Sequence, residues 1–395
     1  MVEVLLVVGI AVAVFVGFNI GGSSTGVAFG PAVGSQTVSK LGAAGLMSGF
    51  ALLGGWTVGR NVIETMGGEI VSMTFTLGMS VGVLFFVGMA LLISNLFGVP
   101  ASTSMTAVGA IAGLGVATGT LNQEVMFEIV SWWLIAPVLA FWLCAVIGRY
   151  LYPYLDVWFK LEQSEGPLFE FNHVGSVPYP TVSANATTKE LFVTILVVGI
   201  GCYMAFSAGA SNVANAVAPL VGSGSIGESE GVLLAAGAIG LGAFTIARRT
   251  LDTVGNDLTD LPLLAALIVE VVSASLITFL SFIGIPASLA VSATMCIVGL
   301  GWGRATRTVR ISDAAAVAVR GRGDEAESPG MSVNALTAEQ KEVAKIGEED
   351  PNTLQASDLF DPSTTARVVG LWILTPSISA IASYLLFSFV PLSPA

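Results

Sequence analysis

The chain has 395 residues, 54% of them hydrophobic and only 11% charged, with a mean hydropathy of +0.83. A soluble globular protein carries about 25% charged residues, so this deficit, with apolar runs of about 20 residues, excludes a soluble domain and specifies an integral membrane protein. The net charge of −12 belongs to the connectors, and no basic face is left for nucleic acid.

Long continuous apolar runs, rather than alternating ten-residue segments, predict membrane helices and not a barrel. The first span is Val2 to Gly17. It has Glu3 where a signal peptide has basic residues, so it reads as a helix of the mature chain. A polar, uncharged stretch follows, "FNIGGSSTGVAFGPAVGS" (Phe18 to Ser35), expected to enter the membrane and return. Further spans run from Leu41 to Gly59 and from Ile70 to Phe97. After a break at Pro100, another extends to Thr118, and the last of this half covers Val125 to Tyr150. Beyond a hydrophilic connector the order repeats: Leu191 to Ala205, a second polar stretch, Gly231 to Ile246, Leu263 to Ile283, a break at Pro286, Ala287 to Gly303, and Val368 to Val390.

The repetition holds at residue level. "FSAGASNVANAVAPLVGS" (Phe206 to Ser223) lies 188 residues after the opening polar stretch and keeps its Phe, Gly21/Gly209, Ser23/Ser211, Pro31/Pro219 and terminal Val-Gly-Ser. The same register pairs Arg60 with Arg248, and Glu64-Thr-x-Gly-x-Glu69 with Asp252-Thr-x-Gly-x-Asp257. Two residues shorter, "GVPASTSMTAVGAIAGLG" from Gly98 meets "GIPASLAVSATMCIVGLG" from Gly284, and after a long insertion in the second copy Trp133 and Pro137 meet Trp372 and Pro376. One register held through separate motifs identifies a duplication. The predicted fold class is an all-α polytopic membrane protein: two inverted-topology repeats of about five helices each, with a broken or re-entrant segment per repeat. The predicted divisions are a first repeat (1–151), a cytoplasmic connector (152–188), most of the second repeat (189–303), an acidic cytoplasmic loop (304–364) and a last helix (365–395).

An odd number of crossings per half inverts the second half. With the 152–188 connector inside, Lys40, Arg149, Lys160, Lys189, Arg248, Arg249 and the arginines of 304–364 all lie on the cytoplasmic side. Arg60 alone is clearly left outside, which is the bias of the positive-inside rule. Both termini are therefore expected outside the cell membrane.

Inverted halves with Gly/Pro-interrupted hydrophobic segments at matching positions point to a secondary transporter's binding site. Helix N-termini and close backbone approach suit an anion, and Ser, Thr and Asn add donors without fixed charge. Tight helix packing by small residues is the competing explanation; it requires neither the Ser and Asn density nor its recurrence beside Ser102-Thr103-Ser104 and Ser288. The candidate anion-binding residues are Ser23, Ser24, Thr25, Ser102, Thr103, Ser104, Ser211, Asn212, Asn215 and Ser288. Cys144, Cys202 and Cys296 lie in apolar stretches and read as buried packing residues. His173 reads as solvated. "GSGSIG" (Gly222 to Gly227) matches a dinucleotide pattern but follows no strand.

"GASNVANAVAPLVGS" from Gly209 resembles the GANDVANA signature of the inorganic phosphate transporter (PiT) family, and "GVPASTSMTAVGAIAG" from Gly98 is similar to its G-x-P-x-S-T-T-H segment. The paired motifs and the hydrophilic loop before the last span extend the resemblance over nearly the whole chain. It implies cation-coupled uptake of an inorganic oxyanion held by both polar stretches, and a homodimeric assembly. Ser211-Asn212 stands where the family has Asn-Asp, Ser23-Ser24 stands there in the first half, Val27 replaces the family's second Asn, and Met105 replaces its His. The "NIGGSS" opening is similar to a divergent, sulfate-permease-like branch.

Phosphate is the leading substrate and sulfate the alternative. Moving a dianion inward against about 100 mV costs roughly 4.6 kcal/mol, at 2.3 per charge, so sodium ions or protons must accompany it. Candidate coupling residues are Asn19, Ser24, Asn212 and Glu270, the acid well inside a span. No cofactor or resident metal is expected beyond a transported sodium. A passive anion channel is the alternative of another class. An enzyme is not expected, because no span holds a Cys/His/Asp constellation.

Overall fold

The computed structural model describes residues 2–96, 102–159, 169–174, 177–182, 188–247, 262–308 and 362–390. Twelve helices lie within them. The first half contains α1 (Val2–Gly34), α2 (Lys40–Thr57), α3 (Gly59–Glu64), α4 (Leu77–Leu96), α5 (Thr103–Thr118), α6 (Gln123–Val146) and α7 (Tyr152–Phe159). The second contains α8 (Thr188–Gly222), α9 (Glu228–Thr245), α10 (Leu263–Phe282), α11 (Leu289–Ala305) and α12 (Pro362–Phe389). Between the halves, strands β1 (Phe169–Val174) and β2 (Val177–Val182) pair antiparallel, Phe169 opposite Val182. The hairpin is an exception to the all-helical expectation and lies within the hydrophilic connector. Pro100, Lys160, Arg248, Arg249, the Asp252–Asp257 run and residues 309–361 of the acidic stretch lie outside the described residues.

By length and composition, six of the described helices can cross a membrane, and a seventh span arises if α2 and the segment Gly59–Glu69 count as one, bent by 65°. The shorter apolar helices Thr103–Thr118 and Leu289–Ala305 add to these. Ten full-length crossings are therefore not found among the described residues.

The break expected in the polar stretches is absent. α1 runs unbroken for 33 residues and α8 for 35, about 50 Å each at 1.5 Å per residue. Ser and Thr in the stretch bond back to their own helix: Thr25 Oγ1 donates to Gly21 O at 2.7 Å and Ser23 Oγ to Asn19 O at 3.3 Å. Back-bonding of this kind keeps a hydroxyl satisfied inside a helix, and neighbouring helices supply the stability that Gly propensity lacks. The interruptions fall instead ahead of α5 and α11, where Ser102 and Ser288 adopt extended backbone and cap the helices that follow.

Glycines set the closest approaches. A Cβ on Gly21 would collide with the Ile239 carbonyl, and one on Gly242 with the Phe18 carbonyl, so α1 and α9 cross backbone to backbone. A Cβ on Gly209 would strike the Ala51 carbonyl and one on Gly54 the Phe206 carbonyl, which places α8 on α2 in the same way. The two pairs of contacts are equivalent under the 188-residue shift, which carries Gly21 to Gly209, Ala51 to Ile239, Gly54 to Gly242 and Phe18 to Phe206. The turn after each long polar helix repeats as well. Gln36 and Gly224 share left-handed φ values of 57° and 68°, and the flanking hydroxyl pairs Ser35–Thr37 and Ser223–Ser225 lie at 2.8 and 2.7 Å. Small residues that admit such contact are the usual glue of membrane helices.

The first acid–Thr–x–Gly–x–acid run ends α3 and enters a π-helical turn, Thr65–Glu69. Arg60 reaches across to the start of α9, donating to Ser229 Oγ at 2.9 Å and pairing with Glu228 at 3.5 Å, and it stacks over Trp56.

Candidate oxyanion site

The two polar stretches and the two capped helix starts converge. Ser23, Ser24 and Val27 from α1, Asn212 from α8, Thr103 from the start of α5, and Ser288, Leu289 and Ala290 from the start of α11 line one cleft. Side-chain bonds join all four elements. Thr103 Oγ1 donates to Asn212 Oδ1 at 2.5 Å, and Asn212 Nδ2 approaches Ser24 Oγ at 3.5 Å. Ser211 Oγ donates to the Ala287 carbonyl at 2.6 Å and Ser104 Oγ to the same carbonyl at 3.0 Å. Asn215 Nδ2 faces Asn212 Oδ1 at 3.1 Å, Ser104 Oγ at 3.1 Å and Thr103 Oγ1 at 3.3 Å.

The network is dry. Ser104 and Asn215 are fully buried, and Ser211 and Asn212 are nearly so. Among the described residues, Asn215 Oδ1 has no hydrogen-bond partner. An unpaired buried amide oxygen costs about 1–3 kcal/mol, the kind of debt that functional sites carry.

The helix starts supply the anion-directed character. Ser288 Oγ accepts from Val291 N at 3.4 Å, and Ser102 Oγ from Met105 N at 3.4 Å. Each cap satisfies one of the orphan N–H groups of its helix. The N–H groups of Leu289 and Ala290, in the first turn of α11 and beside the cleft, have no intrahelical acceptor. The positive end of the helix dipole adds to them.

The predicted residues separate into three groups. Ser23, Ser24, Thr103, Asn212 and Ser288 line the cleft. Ser102, Ser104, Ser211 and Asn215 form the layer behind it. Thr25 is bonded within α1 and is not among the lining residues.

Two coupling candidates lie elsewhere. Asn19 donates to Phe15 O at 2.8 Å and accepts from Asn95 Nδ2 at 3.1 Å. Glu270 sits on α10, 4% exposed, with Oε1 unpartnered among the described residues, and does not line the cleft. Ser273, three residues further on, donates to the Val269 and Glu270 carbonyls.

Sequence reasoning missed Asn95, the Ala287 carbonyl and the Leu289–Ala290 backbone. Asn95 was detectable as the sole Asn in an apolar run, with Ser281 at the matching position of the second copy. It also missed Trp133, whose Nε1 donates to the Pro286 carbonyl at 2.8 Å and holds the segment ahead of α11.

Known proteins match this chain over most of its length. The "Sulfate permease CysP" of Bacillus subtilis (strain 168) is 30% identical over 291 residues, covering 73% of this chain and 75% of that protein. A Helicobacter pylori (strain ATCC 700392 / 26695) protein named "Putative phosphate permease" is 23% identical, covering 97% of this chain and 89% of its own. Among solved structures, one titled "The sodium-dependent phosphate transporter" superimposes with a TM-score of 0.65 at 17% identity, covering 98% of this chain and 99% of that one, and it shares the fold. The family model described as "Phosphate transporter family" matches residues 20–383, and the chain belongs to that family.

Proposed function

We propose that the protein is a secondary active transporter that imports inorganic phosphate or a similar tetrahedral oxyanion together with a cation. The observation that carries this reading is the convergence, in one cleft, of two duplicated polar helices and a capped helix start from each half. Neutral donors and helix N-termini suit an anion that must be released again. A permanent cationic clamp would hold a dianion in a dry site far more strongly.

The contacts repeated at 188-residue spacing support two repeats of inverted topology, divided at the 152–188 connector, with both termini outside the cell membrane. Alternating access then arises from one half moving against the other around the shared cleft. The reading includes cytoplasmic placement of the 304–364 loop and the homodimer that the family resemblance implies. Coupling rests on sodium held by carbonyls and hydroxyls, which hard cations accept, or on a proton carried by Glu270.

Sulfate is the second reading, and the 30% identity to a sulfate permease over three quarters of both chains favours it. Purified protein in liposomes, given labelled phosphate and labelled sulfate separately under imposed sodium or proton gradients, tests the proposal. Accumulation above the external concentration is expected for one or both anions.

A further inference from the structure

The first turn of α11 borders the cleft with Leu289 and Ala290, and the segment that leads into it, residues 283–288, is pinned from several sides. Gly284 turns the chain with a left-handed φ of 80°, a conformation glycine adopts without strain. The carbonyls on either side of that turn meet donors from four other elements. Phe282 O accepts from Asn61 Nδ2 of α3 at 2.6 Å, and Pro286 O from Trp133 Nε1 of α6 at 2.8 Å. Ala287 O accepts from Ser211 Oγ of α8 at 2.6 Å and Ser104 Oγ of α5 at 3.0 Å. Three of the four elements belong to the first copy of the duplicated sequence. Irregular backbone at membrane depth holds only where protein or enclosed water satisfies it, so these bonds fix where the segment sits.

Ser104 and Ser211 bond into the network behind the cleft, whereas Asn61 and Trp133 hold the segment from outside it. Trp133 has a further advantage of place, because α6 lies along α11 as a splint. A Cβ on Gly299 would strike the Phe141 carbonyl and one on Gly303 the Ala145 carbonyl, and Arg307 donates to the Arg149 carbonyl at the far end. Those contacts fix the body and the C-terminal end of α11. The Trp133 indole fixes the chain entering its N-terminal end. An indole has one N–H and no acceptor, so its bond to Pro286 O acts as a spacer of set length between α6 and the first turn of α11.

We propose that Trp133, with Asn61 as a second post, is a positioning residue of the oxyanion site: its bond to the Pro286 carbonyl sets where α11 presents its first N–H groups to the anion. The inference rests on the oxyanion transport proposed above and adds two residues that act on the substrate through the backbone. Hydrogen bonds hold over donor–acceptor distances of about 2.7–3.2 Å, so a small shift of the segment weakens anion binding. The packing of α6 on α11 through Gly299 and Gly303 stays in place when the indole N–H is removed. Loss of one hydrogen bond to a charged group lowers affinity roughly tenfold or more.

The test uses the full chain in liposomes, with initial uptake of labelled sulfate and labelled phosphate measured over a range of concentrations. Trp133→Phe keeps the ring and removes the N–H. Its KM for the transported anion is expected to rise roughly tenfold, with the maximal rate per protein within about twofold of wild type. Trp132→Phe, at a neighbouring ring packed edge-on against Phe279, is expected to keep the wild-type KM. An unchanged KM in Trp133→Phe, or a lower maximal rate at unchanged KM, would overturn the positioning role and leave oxyanion transport standing. Equal rises in KM for both variants would overturn it as well. If Trp133→Phe does not fold, Asn61→Ala decides by the same criterion, since it frees the Phe282 carbonyl at the other end of the segment. Uptake of neither anion by the wild-type protein would overturn the positioning role and the transport reading together.

Discussion

Asn212 approaches Ser24 Oγ with its side-chain amide at 3.5 Å, and the two residues occupy the same position in the two copies of the duplicated sequence. The contact closes the cleft between α1 and α8 at the point where the halves meet. Asn212 is also the hub of the layer behind, since its oxygen takes the Thr103 proton and faces Asn215.

Removing that hub strands the buried Thr103 hydroxyl and takes one of three acceptors from Asn215. The double substitution Ser211→Ala with Asn212→Ala is expected to reduce oxyanion uptake at least tenfold while the protein still reaches the membrane. Uptake per unit of purified protein, with the elution profile as a folding control, measures it. Unchanged transport would remove both residues from the site.

The glycine contacts predict a sharp contrast in stability. Gly21→Leu and Gly209→Leu force side chains into the facing carbonyls of Ile239 and Ala51, and overpacking of this kind costs about 1–3 kcal/mol or more. Gly45→Ala and Gly49→Ala meet nothing within 4 Å and should leave the melting temperature within a degree or two, or raise it through the better helix propensity of Ala. Thermal unfolding in detergent compares the four.

Much of this architecture was legible in the sequence, and the parts that were not have physical causes. The duplication pointed to both polar stretches, to Ser102 and Ser288 as partners, and to the lining residues Ser23, Ser24, Thr103, Asn212 and Ser288, but not to Val27, Leu289 and Ala290. Helix continuity through Gly21–Gly34 was not legible, because Gly and Ser are poor helix formers alone. Only the packing of α9 on α1 and the back-bonds of Ser23 and Thr25 make the helix the better state. Asn19 is a coupling candidate by its neighbours in sequence. Its partner Asn95 is 76 positions away, and no local pattern carries that contact. Arg60 likewise pairs 168 positions away with Glu228 and not with the acids beside it.

The proposed inverted arrangement predicts sidedness. Gln36→Cys and Thr57→Cys, at exposed positions on either end of α2, should differ in reactivity toward an impermeant thiol reagent applied to intact cells. Thr57→Cys is expected to label from outside and Gln36→Cys only after permeabilisation; Cys144, Cys202 and Cys296 are buried. Equal labelling of both would contradict the orientation.

Glu270 tests the nature of the coupling ion. It is the buried carboxylate of α10, with an unpaired oxygen, and intramembrane acids of this kind are functional candidates by default. If it carries the proton, Glu270→Gln abolishes accumulation driven by a pH gradient and spares exchange of labelled for unlabelled anion, which needs no net proton movement. A variant that keeps proton-driven accumulation assigns coupling to another group.

The most direct measurement of the central claim is the internal concentration of labelled oxyanion reached by proteoliposomes under an imposed sodium or proton gradient. Internal anion rising above the external level, and collapsing when an ionophore dissipates the gradient, is the predicted result. Uptake that stops at equal concentrations whatever the gradient would contradict coupled transport and identify a passive channel.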